Sequence, residues 1–487
     1  MKGIAIGLSN NSKEILKRLK KTEFVKDIYI AGSSKEDGKE NELIQVQKPR
    51  EILLKKWPKI DLIIFIGSIA ASIRIINPFL TSKDQDPGVI VIDNKCSKIV
   101  PLIGLHQSNT QNISCQIANL LGGEIIETNN SNDQSLLNLD AFGNQWGWKR
   151  SGKINDWSKL VIKQAKNEEI FCKQLSGNSL WKTSESAEII NQIDKKETEK
   201  PDSTFHVSIF ENHGTTWHPP VLWIGIGCER NTSKELIANS LNNLLESGNL
   251  SQQSIAGFAT IDIKKDEKGI LELSEEKNLP IKFFSKKDLS TIIVPNPSNV
   301  VQKEIGTPSV AEASCLLAAG EESKLLEEKR IFKNQSGAVT IAVAESKNQY
   351  NPTHGEIHII GSGPGDISFL TNNARKALSR CTVWIGYKMY LDLIKPLKRN
   401  DQVLIESKLT EEKERCSKAI KLAEEGIKVA LISSGESGFY GMAGLLLELL
   451  QKIKKEYRPY FEVHPGISSV QLAAAISGAP LMNDFCS

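Results

Sequence analysis

No two cysteines in this 487-residue chain are spaced as CxxC; the eight, Cys96, Cys115, Cys172, Cys228, Cys315, Cys381, Cys416 and Cys486, lie far apart. That spacing excludes a zinc ribbon and a small disulfide framework and points to reduced thiols in a cytoplasm. No apolar run is long enough to span a bilayer. The opening Met1-Lys-Gly-Ile-Ala-Ile-Gly-Leu8 reads as a short buried strand rather than a secretory signal. Blocks of one charge are missing as well. The 61 Lys and Arg interleave with 58 Asp and Glu, leaving a formal net charge of +3, so no large basic face for nucleic acid is expected. The expected protein is cytoplasmic and binds neither nucleic acid nor membrane.

What is present divides into blocks, and the length fits roughly three domains. Residues 1–150 alternate short apolar runs with helical patterns. Ile4 to Gly7, Leu62 to Ile66 and Val89 to Ile92 read as buried parallel strands, with an amphipathic helix over Asn11 to Leu19. In residues 151–220 polar stretches such as Lys195 to Asp202 bracket weak strand signals, and the region reads as an irregular connection, partly mobile. Residues 221–345 return to the α/β pattern: Val221 to Gly227 as a strand, Glu235 to Leu245 as a helix, Ile255 to Ile263 and Val339 to Ala344 extended. A polar linker then leads to a third block, residues 356–487, which opens with the strand Glu356 to Ile360.

The third block carries the sharpest local signal. Gly361-Ser-Gly-Pro-Gly-Asp366 follows a strand and precedes a helical stretch, Leu370 to Leu378. Glycines at such a turn let backbone approach a ligand closely. It is not the dinucleotide fingerprint, because Asp366 stands where a third glycine or alanine is needed. Pro364 removes an amide donor, and no Lys-Ser/Thr pair follows to hold phosphates. Two more turns, Ser433-Ser-Gly-Glu-Ser-Gly438 and His464-Pro-Gly466, follow the strands predicted at Val429 to Ser433 and Tyr460 to Val463. Turns at the carboxyl ends of three strands would converge on one crevice, where open α/β sheets bind ligands.

In this order the three turns resemble the tetrapyrrole methylase family. Gly386 to Leu391, Gly435 to Met442 and Gly478 to Asp484 are similar to its precorrin-3B C17-methyltransferase members (CobJ/CbiH). The resemblance implies S-adenosylmethionine held beside Gly361, Gly363, Pro364, Gly365, Asp366, Ser434, Gly435, Glu436, Ser437, Gly438, Pro465 and Gly466, and methyl transfer to a ring carbon with ring contraction. Glu436 stands where the family usually has Asp. Family members continue into a second subdomain beyond the PG-I-S segment, so the methyltransferase half is expected to be incomplete. They are commonly dimeric, which implies a homodimer.

Gly225 to Ser233 and Gly306 to Ala313 are small-residue stretches that open apparent helices, with Thr232 or Ser233 and Ser309 as cap candidates. Together they resemble the C-terminal domain of the cobalt-precorrin-5A hydrolase (CbiG) family. Phe65 to Arg74, Asp86-Pro87 and Pro101 to His106 resemble its N-terminal domain, although the glycine pair expected after His106 is replaced by Gln107-Ser-Asn109. The fold class expected is therefore multidomain α/β: two CbiG-like domains followed by the N-terminal α/β part of a tetrapyrrole methylase. The hydrolase resemblance implies opening of a ring lactone on a cobalt-corrinoid, with release of a two-carbon aldehyde. That chemistry needs an activated water, oxyanion donors and a base. Glu312, His106 and Cys228 are the candidates, with Arg74 and Arg230 suited to the carboxylate side chains of a macrocycle. No GxSxG elbow is present, so a serine triad is not argued. No protein-held metal is expected; cobalt enters only within the tetrapyrrole substrate. A second reading, a non-catalytic corrinoid-binding or channelling protein, keeps the same folds.

Overall fold

A computed structural model of the chain describes residues 2–31, 44–46, 48–81, 86–104, 110–126, 136–194, 201–211, 214–335, 337–479 and 481. Contacts divide it into two compact units, Met1–Asn130 and Ser131–Ser487.

The first unit is built on three strands that are buried along their whole length, Gly3–Gly7, Leu62–Ile66 and Gly88–Ile92. Because side chains alternate across a strand, Leu62, Ile64 and Ile66 face one helical layer while Ile63 and Phe65 face the other. The helix Lys13–Lys20 supplies Ile15, Leu16 and Leu19 to the first layer. Pro49–Lys56 and Ile69–Ile76 supply Ile52, Leu53 and Ile76 to the second. The seven-stranded sheet runs Ile44–Val46, Val25–Ala31, Gly3–Gly7, Leu62–Ile66, Gly88–Ile92, Lys98–Ile103, Glu124–Ile125, and only the pairing of Gly88–Ile92 with Lys98–Ile103 is antiparallel. The helix expected from Asn11 begins at Lys13, after a single 3₁₀ turn over Asn10–Ser12.

The second unit holds three sheets, one of them where an irregular connection was expected. Ile190–Gln192, Ile170–Gln174, Thr204–Val207, Thr216–His218 and Lys149–Ser151 form a five-stranded sheet in that order, parallel except at its last pair. Its strands have three to five residues and carry no long apolar run. Aromatic rings supply the core instead. Phe142 lies at the centre of Trp148, Trp181, Phe205 and Trp217, with ring centroids 5.1–5.8 Å away. Phe142, Trp146 and Trp148, expected in the first block, thus fold with the second unit.

The next sheet runs Ile281–Phe284, Ile255–Ile261, Leu222–Cys228, Gly337–Glu345, Lys324–Asn334, parallel over its first three strands and antiparallel over the rest. The helices Lys234–Ser247 and Lys268–Lys277 cover one face through Leu241, Leu244, Ile270 and Leu273. Ala311–Ala319 covers the other. It lies so close that a Cβ at Gly225 would overlap the Ala311 carbonyl, which is why that strand position must be glycine. Ser233 caps its helix by accepting from Leu236 N–H, and Ser309 Oγ accepts from Glu312 N–H.

The last sheet is all parallel: Val403–Ser407, Val383–Tyr387, Lys428–Ser433, Glu356–Gly361, Tyr460–His464. Glu356–Gly361 therefore sits between the two strands that lead into the other glycine turns. Residues 345–355, expected as a polar linker, contain the buried Gln349. Its Oε1 accepts from Trp148 Nε1 (2.8 Å), and its Nε2 donates to the carbonyls of Trp146 (2.7 Å) and Glu425 (2.8 Å).

Candidate functional sites in the second unit

Strand order brings the three glycine turns together. Gly363 and Gly435 exchange backbone hydrogen bonds, 3.1 Å from Gly363 N to Gly435 O and 2.9 Å in return, and Ser362 N–H donates to Ser433 O (2.9 Å). A Cβ at Gly361 would lie 2.6 Å from Gly466 N and 2.8 Å from Gly435 O, and one at Gly466 would overlap Gly435 O. Gly361 and Gly466 are thus glycine because three backbones meet there, while Gly435 takes a left-handed φ of 61°. Gly363 and Gly365 have φ of 78° and 135°, and nothing lies within 4 Å of a Cβ built on Gly365, so the outer turn presents open backbone.

Asp366 accepts from Ser368 N–H (2.7 Å), and the Ser368 side chain together with this bond holds its carboxyl below the usual range. It caps the following 3₁₀ turn. Glu436 acts locally too: Oε2 accepts from Gly438 N–H (2.7 Å), and Oε1 from Ser437 Oγ (3.4 Å). Ser434 is exposed, Gly438 is exposed and Ser437 is buried. Beyond them Phe439 and Tyr440 form an exposed edge-to-face pair, with Tyr440 at φ 54°. Pro465 is exposed and its carbonyl accepts from Thr371 Oγ1 (3.3 Å).

A second site surrounds Glu312. It stands in the first turn of Ala311–Ala319, fully buried, where the helix N-terminus favours a negative charge. Oε1 accepts from Asn296 Nδ2 (3.0 Å) and from Lys329 N–H (3.2 Å). Oε2 is buried without a hydrogen-bond partner. Lys329 Nζ donates to the Asn296 carbonyl, so the two residues brace each other. Neither was singled out from sequence; the one local signal is that Asn296 stands between Pro295 and Pro297.

The other candidates are placed differently. Cys228 ends its strand among Thr232, Lys264 and Glu267, none of which touches Glu312, and burial pushes its thiol up to about 11. Arg230 is already paired, with Asp266 at 2.5 Å, Glu267 at 3.7 Å and the Ile263 carbonyl at 2.7 Å. In the first unit Arg74 is exposed on Ile69–Ile76, and its carbonyl accepts from Arg50. His106 lies outside the described residues. Elsewhere in the second unit, His218 is buried between Ser151 Oγ (2.7 Å) and Ser208 O (2.8 Å).

Three family descriptions match the chain: Cobalamin synthesis G N-terminal over residues 51–132, Cobalamin synthesis G C-terminus over 222–344, and Tetrapyrrole (Corrin/Porphyrin) Methylases over 356–487. Among relatives, the Cobalt-precorrin-5A hydrolase of Priestia megaterium is 27% identical over 365 residues, 70% of this chain and 93% of that protein. The Cobalt-factor III methyltransferase of the same organism is 46% identical over 134 residues, 27% of this chain and 25% of that protein. The solved structure of the methyltransferase CobJ is 34% identical, with a TM-score of 0.26, over 27% of this chain and 54% of that one. The chain thus spans nearly all of the hydrolase relative but a quarter to about half of the methyltransferase relatives. Among the described residues no helix is long and apolar enough to cross a membrane. The chain thus carries, in order, segments that match the N- and C-terminal cobalamin synthesis G descriptions and the tetrapyrrole methylase description, consistent with a fusion.

Proposed function

We propose that the chain hydrolyses the ring lactone of cobalt-precorrin-5A through its G-type domains, with Glu312 as the base. The observation that carries this reading is the buried carboxylate oxygen without a partner. Oε1 is held by Asn296 and Lys329, which fixes the carboxylate and leaves Oε2 to take a proton from water or from a substrate hydroxyl. Cys228 is not the nucleophile, because a thiol pushed up to about 11 carries little thiolate at neutral pH. The test is purified chain with cobalt-precorrin-5A, read by mass spectrometry. Lactone opening with loss of a two-carbon aldehyde supports the reading; unchanged substrate with folded protein refutes it.

A second activity, methyl transfer to C17 of a precorrin-3B or cobalt-factor III type of ring, is supported by the glycine junction. The chain's backbone at Gly361, Gly363, Gly365, Pro465, Gly466 and the Ser434–Gly438 turn would border S-adenosylmethionine, and crowding at Gly361 and Gly466 leaves no room for side chains at those two positions. When bound, that cofactor supplies an electrophilic methyl group; the residues of the turns position it and exclude competing contacts. Calorimetry with S-adenosylmethionine tests the site. Micromolar binding that Gly466→Ala removes is the expected result, and heat that the substitution leaves unchanged would reject the junction as the site. Cytoplasmic localisation, and a homodimer through the methylase domain, complete the proposal.

A further inference from the structure

We propose that the methylase domain holds a divalent transition-metal ion, of the zinc or cobalt(II) class, between His358, His464 and Glu462. These residues lie on two neighbouring parallel strands. Glu356 and His358 alternate along Glu356–Gly361, and Glu462 and His464 alternate along the edge strand Tyr460–His464, where His358 is the register partner of Glu462. One face of the sheet therefore carries two Glu-x-His pairs side by side.

His358 Nδ1 lies 2.9 Å from His464 Nε2. Glu462 Oε2 lies 3.9 Å from each of these nitrogens. Ligands about 2.0–2.2 Å from a tetrahedral ion stand about 3.3 Å apart. The three atoms therefore need only small side-chain rotations to share one ion. Two imidazoles and one carboxylate with a fourth position open is a common zinc set.

The surroundings orient the donors as a metal site requires. His358 Nε2–H donates to Glu356 Oε2 (2.9 Å), and Glu356 in turn pairs with Lys428 (2.5 Å) and Arg380 (3.6 Å). A carboxylate behind a histidine fixes its tautomer, here with the lone pair on Nδ1, the atom that faces His464 and Glu462. His358 and His464 are buried, while the Glu462 side chain is 47% exposed, so an ion reaches the site from solvent past Glu462. Binding would replace the contact between the two imidazoles, with His464 keeping its proton on Nδ1. His464 directly precedes Pro465-Gly466, so the ion would also pin the edge strand that delivers Gly466 to the glycine junction.

The test is titration of the full chain with zinc by calorimetry and with cobalt(II) by visible absorption. One equivalent with the absorption of a low-coordinate cobalt centre is expected. Glu462→Gln, on a half-exposed side chain that folding tolerates, should weaken binding at least tenfold, and His464→Asn should abolish the cobalt absorption. A saturating ion should raise the melting temperature of the parent chain and not that of His464→Asn. Equal binding by the parent and Glu462→Gln, or no stoichiometric binding by the parent, overturns the site. None of these readouts depends on S-adenosylmethionine or a tetrapyrrole, so the inference can fail while the proposed activities stand, and the reverse.

Discussion

Glu312 combines three features that rarely coincide without a reason: a fully buried carboxylate, two donors on one oxygen and none on the other. An unpaired buried acceptor costs about 1–3 kcal/mol, and a chemical task is the compensation argued here. Glu312→Gln should lower turnover of cobalt-precorrin-5A by about 10²- to 10⁴-fold while the melting curve stays close to that of the parent. Cys228→Ser should leave turnover within a small factor of the parent. Loss of activity in both variants would move the chemistry to the Cys228 side of the domain. Lys282 offers a prediction in pH. Its ammonium sits 4.2 Å from the Trp223 ring and 4.3 Å from the Tyr350 ring, and burial pushes it down to about 8 despite the nearby Glu424. Between about 8 and the ordinary value of 10.5 the unfolded chain binds more protons than the folded one, so stability rises with pH in that window and is flat in this term below it. Urea unfolding of the parent against Lys282→Met, at steps from about pH 7.5 to 10, should show that rise only in the parent.

At the scale of elements, the strands with whole-length apolar runs were legible in sequence, because a strand buried on both faces cannot afford polar residues. The convergence of the three glycine turns was legible because their strands are parallel neighbours, two central and Tyr460–His464 at the edge, so their carboxyl ends lie on one side of the sheet. The sheet over residues 149–218 was not. Its strands are short, polar residues such as Thr204, His206, Thr216 and His218 are buried in them, and its core comes from tryptophans scattered over some 70 positions rather than from a local pattern. Asn296 and Lys329 were missed because they reach Glu312 from segments 16 and 17 residues away. The two Glu-x-His pairs stand about a hundred residues apart in the chain and meet only because their strands are neighbours. The close seating of Ala311–Ala319 gives a test at this scale. Gly225→Ala should cost about 1–3 kcal/mol in urea unfolding, because the added methyl pushes the helix that carries Glu312 away from its strand. An unchanged midpoint would show that the helix shifts freely.

Across the second unit, the segment matched to the tetrapyrrole methylases shares a core with the sheet over residues 149–218. Buried residues from Leu137 to Trp217 and from Ile357 to Leu450 form one continuous cluster. Gln349 joins Trp146, Trp148 and Glu425 at a single amide. Gln349→Ala leaves these groups unpaired and should destabilise the unit by at least about 1–3 kcal/mol. Denaturation followed by tryptophan fluorescence should then detect a shifted midpoint. The central claim remains the chemistry of the G-type domains, and its most direct measurement is a single-turnover reaction of the purified chain with cobalt-precorrin-5A, followed by mass spectrometry beside Glu312→Gln. The account expects an opened lactone with loss of a two-carbon aldehyde from the parent and nearly none from the variant; equal conversion by both, or none by a folded parent, would contradict it.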